Sequence, residues 1–283
     1  MSNISKIPFF ICPPRTRSTV LFQLMVFYAV HKLGLKTVPH GSFELFLEFN
    51  PNIHFTDVRT SETQLGEIHP VFNGDELKIH YMSPAQYKST SERNLYKLSV
   101  LQQAKDMGYE YYIKGTYHVV DTINEILEFF NDRHIVITQR RDIEQYALSY
   151  IYALNSNLYN SYNTKLFDNT KQYMDTLNEG VIAENIDISE LLNNTRRVYE
   201  LEPLLKQKDI DYTIAYYEDM SSYEQLFDII TSIYGTSEWQ EYLPDDFEKY
   251  IPTRIDKDYT KCILNYNDII ENIRQQIKDS GLA

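Results

Sequence analysis

One short stretch carries more potential chemistry than any other: Cys12-Pro13-Pro14-Arg15-Thr16-Arg17-Ser18-Thr19-Val20-Leu21. Arg15 and Arg17 supply cationic N–H donors, and Thr16, Ser18 and Thr19 supply hydroxyls. An apolar run precedes the stretch and a helical pattern follows it. In that setting backbone N–H groups, the positive end of the helix and side-chain donors converge on one anionic group. The residues therefore point to a phosphate-type anion. A nucleoside triphosphatase loop would read GxxxxGK followed by Ser or Thr. This segment has neither glycine nor lysine, so a P-loop kinase is the weaker alternative.

The elements that must hold this loop can be read around it. Residues 7–12 form a compact apolar run, expected to be a buried strand. Leu21, Leu24, Met25, Tyr28 and Ala29 recur at helical spacing and predict a helix over about 18–33, ended by Gly34. A second strand is expected within 35–38. A strand, loop, helix and strand in this order predict an α/β fold with a P-loop-like parallel sheet flanked by helices. The same rhythm returns later. Strands are predicted at 111–113, 134–138 and 212–216. Asp121 is expected to cap a helix carrying Ile123, Ile126, Leu127 and Phe130. Arg140 and Arg141 lead into a helix with Ile143, Tyr146, Ala147, Tyr150, Ile151 and Leu154 on one stripe. A helix with Leu226, Ile229, Ile230 and Ile233 should stop at Gly235, and a closing helix is expected over about 267–278. Residues 40–105 and 155–208 are poorly patterned and read as inserts of a single 1–283 domain, where they would shape a substrate pocket.

The loop is similar to the 5′-phosphosulfate loop of sulfotransferases that use 3′-phosphoadenosine 5′-phosphosulfate (PAPS). Pro14, Arg15, Thr16, Ser18 and Thr19 fit that pattern, and Arg17 stands where the family usually has glycine. A second segment, from Arg141 to Ser149, reproduces an Arg and a Ser eight residues apart that in this family hold the donor's 3′-phosphate. The spacing is physically reasonable. Eight residues are about two helical turns, roughly 10 Å, within reach of a long guanidinium arm. Arg140 is open to the same role. A third segment, Tyr216-Tyr217-Glu218-Asp219-Met220, resembles one that follows a late strand in the family, where a tyrosine corresponding to Tyr217 lies near the adenine. The three segments run in the family's order over residues 7 to about 235. The resemblance implies sulfuryl transfer from PAPS to a hydroxyl or amine of a carbohydrate or small-molecule acceptor.

Such a transfer is an in-line displacement, with catalysis mostly from positioning and charge stabilisation. Arg15 is the expected stabiliser of the leaving 5′-phosphate, and Lys114 matches a family lysine that could assist. For the base that takes the acceptor's proton, His118 lies close to where cytosolic sulfotransferases carry a histidine. Glu44 resembles a glutamate base of bacterial carbohydrate sulfotransferases, and His40 is a third option. A nucleotide-binding module without transfer activity is the remaining alternative.

Bulk properties narrow the partners. The 283 residues are 43% hydrophobic, enough for a sizeable core. A net charge of −13 argues against nucleic acid and against a sulfated glycan, while leaving room for a local basic pocket. Cys12 and Cys262 follow no metal or disulfide spacing, which fits a cytoplasmic protein with reduced thiols. His54, His69 and His80 are scattered, so no metal is expected. No stretch approaches the ~20 apolar residues of a membrane span.

Overall fold

A computed structural model describes residues 8–32, 36–37, 111–156, 179–243 and 257–282, with isolated positions between 89 and 102 and at 245 and 247. In chain order, β1 (Phe9–Cys12) leads to α1 (Ser18–His31) and β2 (Lys36–Thr37). β3 (Tyr111–Thr116) runs into a 3-10 turn (Tyr117–Thr122) and α2 (Ile123–Phe129). Next come β4 (Ile135–Gln139), α3 (Ile143–Ser156), α4 (Ser189–Tyr199) and α5 (Leu201–Gln207). β5 (Tyr212–Tyr216) passes through a 3-10 turn (Tyr217–Asp219) to α6 (Tyr223–Tyr234). A 3-10 turn (Glu238–Tyr242), α7 (Tyr259–Cys262) and α8 (Tyr266–Ser280) follow.

These strands make one parallel sheet in the order β2-β3-β1-β4-β5. Every residue of β1 and β4 is buried, as expected of central parallel strands covered on both faces. The α/β, all-parallel expectation is met. Core packing is largely aromatic near β1. Phe9 stacks on Phe130 with centroids 4.2 Å apart, and Phe10 meets Phe22 edge-on at 5.4 Å. Gly115 of β3 is required for close approach, since a Cβ there would lie 2.6 Å from Val119 Cγ1. α6 has a complete capping box at Ser222 and Gln225, and it ends at Gly235 in the left-handed region, as its sequence predicts.

Asp121 does not cap α2. Thr122 is the N-cap residue and makes no capping bond, because a 3-10 turn fills the entry to the helix. The Asp121 carboxylate instead pairs with Arg197 of α4 at 2.7 Å. Residues 189–207, expected within an insert, form the two helices α4 and α5. Just before them, residues 182–188 have no regular structure, and side-chain amides satisfy part of their backbone. Asn265 accepts from the Ala183 N–H and donates to the Ala183 carbonyl. Gln276 does the same for the Ile188 N–H and the Ile186 carbonyl. Residues 157–178 and most of 40–105 lie outside the described residues.

Candidate functional site

Strand order locates the site. β1 sends the chain toward β2 at one edge, while its neighbour β4 sends it toward β5 at the other. Loops leaving two adjacent parallel strands in opposite directions open a crevice at their carboxyl ends, where α/β proteins bind ligands. The loop at 13–17 and the Arg140-Arg141 pair both stand at this point.

The loop has an alternating build. Arg15 and Arg17 both have φ of 61°, a left-handed conformation unusual for residues with a Cβ. Thr16 between them is buried, donates to the Pro13 carbonyl at 2.8 Å, and shares a 2.6 Å hydrogen bond with Thr138 of β4. One expected ligand hydroxyl is thus committed to stapling the loop to β4. Arg17 is the N-cap residue of α1, and Ser18, buried, is its first helical residue. The first N–H groups of α1 have no partner inside the helix.

Arg15 reaches across the crevice and donates from Nε to Ser149 Oγ at 3.4 Å. Two motifs 134 residues apart in sequence meet at this contact. Tyr259 of α7 stands close by: burial pushes its phenol up, while Ser149 and the charges of Arg140 and Arg15 partly oppose this. Tyr259 therefore gathers Ser149 and both arginines into one neighbourhood, with Tyr217 beside them. Lys257, two residues earlier, sits with its ammonium 4.5 Å from the Tyr152 ring. Burial and then the Arg15 charge push its amine down to about 8.

The two arginines after β4 diverge. Arg141 is 51% exposed and forms a two-pronged pair with Asp219, at 2.7 and 2.6 Å, with its guanidinium 3.9 Å over the Tyr216 ring. Arg140 is 5% exposed and lies 3.9 Å over the Tyr217 ring, near Tyr259. Among the described residues its Nε finds no hydrogen-bond acceptor, and it stands 4.0 Å from Glu218 Oε1. A buried, charged donor without an acceptor, next to the crevice, fits an anionic ligand that supplies one. Tyr217 thus carries Arg140 on its ring.

Other expected residues are placed less fully. Lys114 lies in β3 in register with Phe10, and His118 lies on the 3-10 turn that follows β3. Glu44 and His40 lie outside the described residues. Lys257, Tyr259 and Tyr199 were not anticipated, since no local pattern around them differs from ordinary helix or loop. Among the described residues, no cluster of three or more His, Cys, Asp or Glu could hold a metal, and no helix is long and apolar enough to cross a membrane.

No protein-family model matches the chain, and no curated protein matches it. A solved structure, the sulfotransferase STF9 from Mycobacterium avium, aligns over 97% of this chain and 77% of its own. Identity is 13% and the TM-score 0.39, an overlap that leaves the functional reading to the site itself.

Proposed function

We propose that this protein is a sulfotransferase that moves a sulfuryl group from PAPS to a hydroxyl or amine of a carbohydrate or small-molecule acceptor. The observation that carries the reading is the contact of Arg15 with Ser149, beside Arg140 and Tyr259, at the switch point of the sheet. A donor with phosphate at both the 3′ and 5′ positions suits a crevice with cations on both sides. The loop at 13–17 and the start of α1 would receive the 5′-phosphosulfate. Ser149 and an arginine after β4 would receive the 3′-phosphate. Of the two arginines, the geometry favours Arg140, because Arg141 is already taken by Asp219.

In the transfer, the acceptor oxygen or nitrogen bonds to sulfur as the bond from sulfur to the bridging oxygen breaks. The bridging oxygen leaves with the 5′-phosphate, and Arg15 offsets the charge that develops there. Lys114 would assist. The acceptor's proton passes to a base, for which His118, Glu44 and His40 are the candidates. The negative net charge favours a neutral sugar, lipid head group or small hydroxylated metabolite as acceptor.

Incubation with PAPS carrying labelled sulfate and a panel of such acceptors tests the reading. Transfer of label to an acceptor is the expected result. Tight nucleotide binding with no transfer to any acceptor would instead indicate a binding module.

A further inference from the structure

The geometry points to Tyr199 as a positioning residue that fixes the Arg140 guanidinium over the Tyr217 ring. The consequence for nucleotide affinity rests on the function proposed above; the clamp itself does not. Pairing of β4 with β5 ends at Gln139 and Tyr216, so the peptide groups of Arg140 lie just past the ladder. Buried backbone groups in that position need partners from elsewhere. One hydroxyl supplies both. Tyr199 Oη accepts from the Arg140 N–H at 2.9 Å and donates to the Arg140 carbonyl at 2.8 Å. Holding the N–H and C=O of one residue fixes the peptide planes on both sides of its Cα, and so the direction in which its side chain leaves. That direction carries the guanidinium onto Tyr217, with Nε still open.

The clamp has a firm base. Tyr199 ends α4, and α4 is tied at two other places. Arg197 pairs with Asp121 on the turn after β3, and Arg196 donates to the Ser280 carbonyl at the end of α8. Burial raises the Tyr199 phenol to about 12, so its donor proton stays in place through the ordinary pH range. Movement of α4 would therefore be felt at Arg140 without contact between α4 and the ligand.

Nitrogen-15 relaxation of the Arg140 Nε–H group tests the clamp directly, in ligand-free protein labelled at arginine. The wild-type resonance should report an ordered guanidinium, and Tyr199→Phe should make it mobile. Leu192→Ala, which removes a buried side chain of the same helix, should leave it ordered even though the fold is weakened. A guanidinium equally ordered in Tyr199→Phe overturns the inference, and one already mobile in the wild type overturns it even if the variant does not fold.

Titration with 3′-phosphoadenosine 5′-phosphate adds the functional arm. Tyr199→Phe should weaken binding about tenfold, and it should cost nothing further when Arg140→Ala is already present. Additive losses would mean that Tyr199 acts by some route other than Arg140. A wild-type protein that binds no nucleotide sinks the proposed function, while the relaxation comparison still decides the clamp.

Discussion

At the scale of single residues, Arg15, Arg17 and Arg140 each occupy an environment that stability alone does not favour. Arg17 holds a left-handed conformation that costs a residue with a Cβ roughly 1–2 kcal/mol. Glycine would remove that strain but adds about 0.5–1 kcal/mol of unfolded-state entropy. On the backbone term alone, Arg17→Gly should leave the melting temperature unchanged or slightly higher. A clear fall in thermal denaturation would show that the Arg17 side chain is structural. Arg140 presents a different imbalance, a buried cation with one donor unused. Hydrogen bonds to charged groups contribute about 1.5–3 kcal/mol. Arg140→Ala should accordingly weaken nucleotide binding about 10- to 150-fold, and Arg141→Ala should weaken it much less. Calorimetric titration separates the two, and the reverse order would return the role to Arg141.

At the scale of elements, parts of the fold were open to reading in proportion to how local their causes are. β1, β4 and β5 are short apolar runs, and α6 carries its own cap and stop at Ser222 and Gly235. The first loop was equally plain, because arginines and hydroxyls crowd between a strand and a helix. α4 was not, although Leu191, Leu192 and Val198 lie on its buried face. Asparagines interrupt its pattern, and the stretch before it is held by Asn265 and Gln276 from a distant part of the chain. Lys257 and Tyr259 escaped notice for the same reason: α7 matters to the site only because it packs beside α3. At the opposite end of β4 from the crevice, His134 bonds Thr213 at 2.8 Å across to β5. Burial pushes its imidazole below the usual value, with Asp211 partly opposing. The unfolded chain then takes up the proton more readily than the folded one, so stability is fully present above pH ~6.5. It should decline as pH falls from there through the folded value. Urea midpoints between pH 5 and 7.5 should show this decline, and His134→Gln should flatten it. An unchanged pH profile in that variant would assign the acid sensitivity to other groups.

At the scale of the whole molecule, an acidic chain of net charge −13 brings three cations, Arg15, Arg140 and Lys257, to one crevice. Arg15 comes from the loop after β1, Arg140 from the end of β4, and Lys257 from the segment before α7. Their convergence depends on the parallel order that places β1 beside β4, and on α3, which carries Ser149 and packs against the C-terminal helices. The surrounding negative field would repel a polyanionic acceptor while the crevice itself draws in a small anion. Isothermal titration of 3′-phosphoadenosine 5′-phosphate into the wild-type protein, Arg15→Ala and Arg140→Ala tests this account most directly. One site per chain is expected, weakened at least tenfold in each variant. No heat at millimolar nucleotide, or variants that bind as tightly as the wild type, would contradict it.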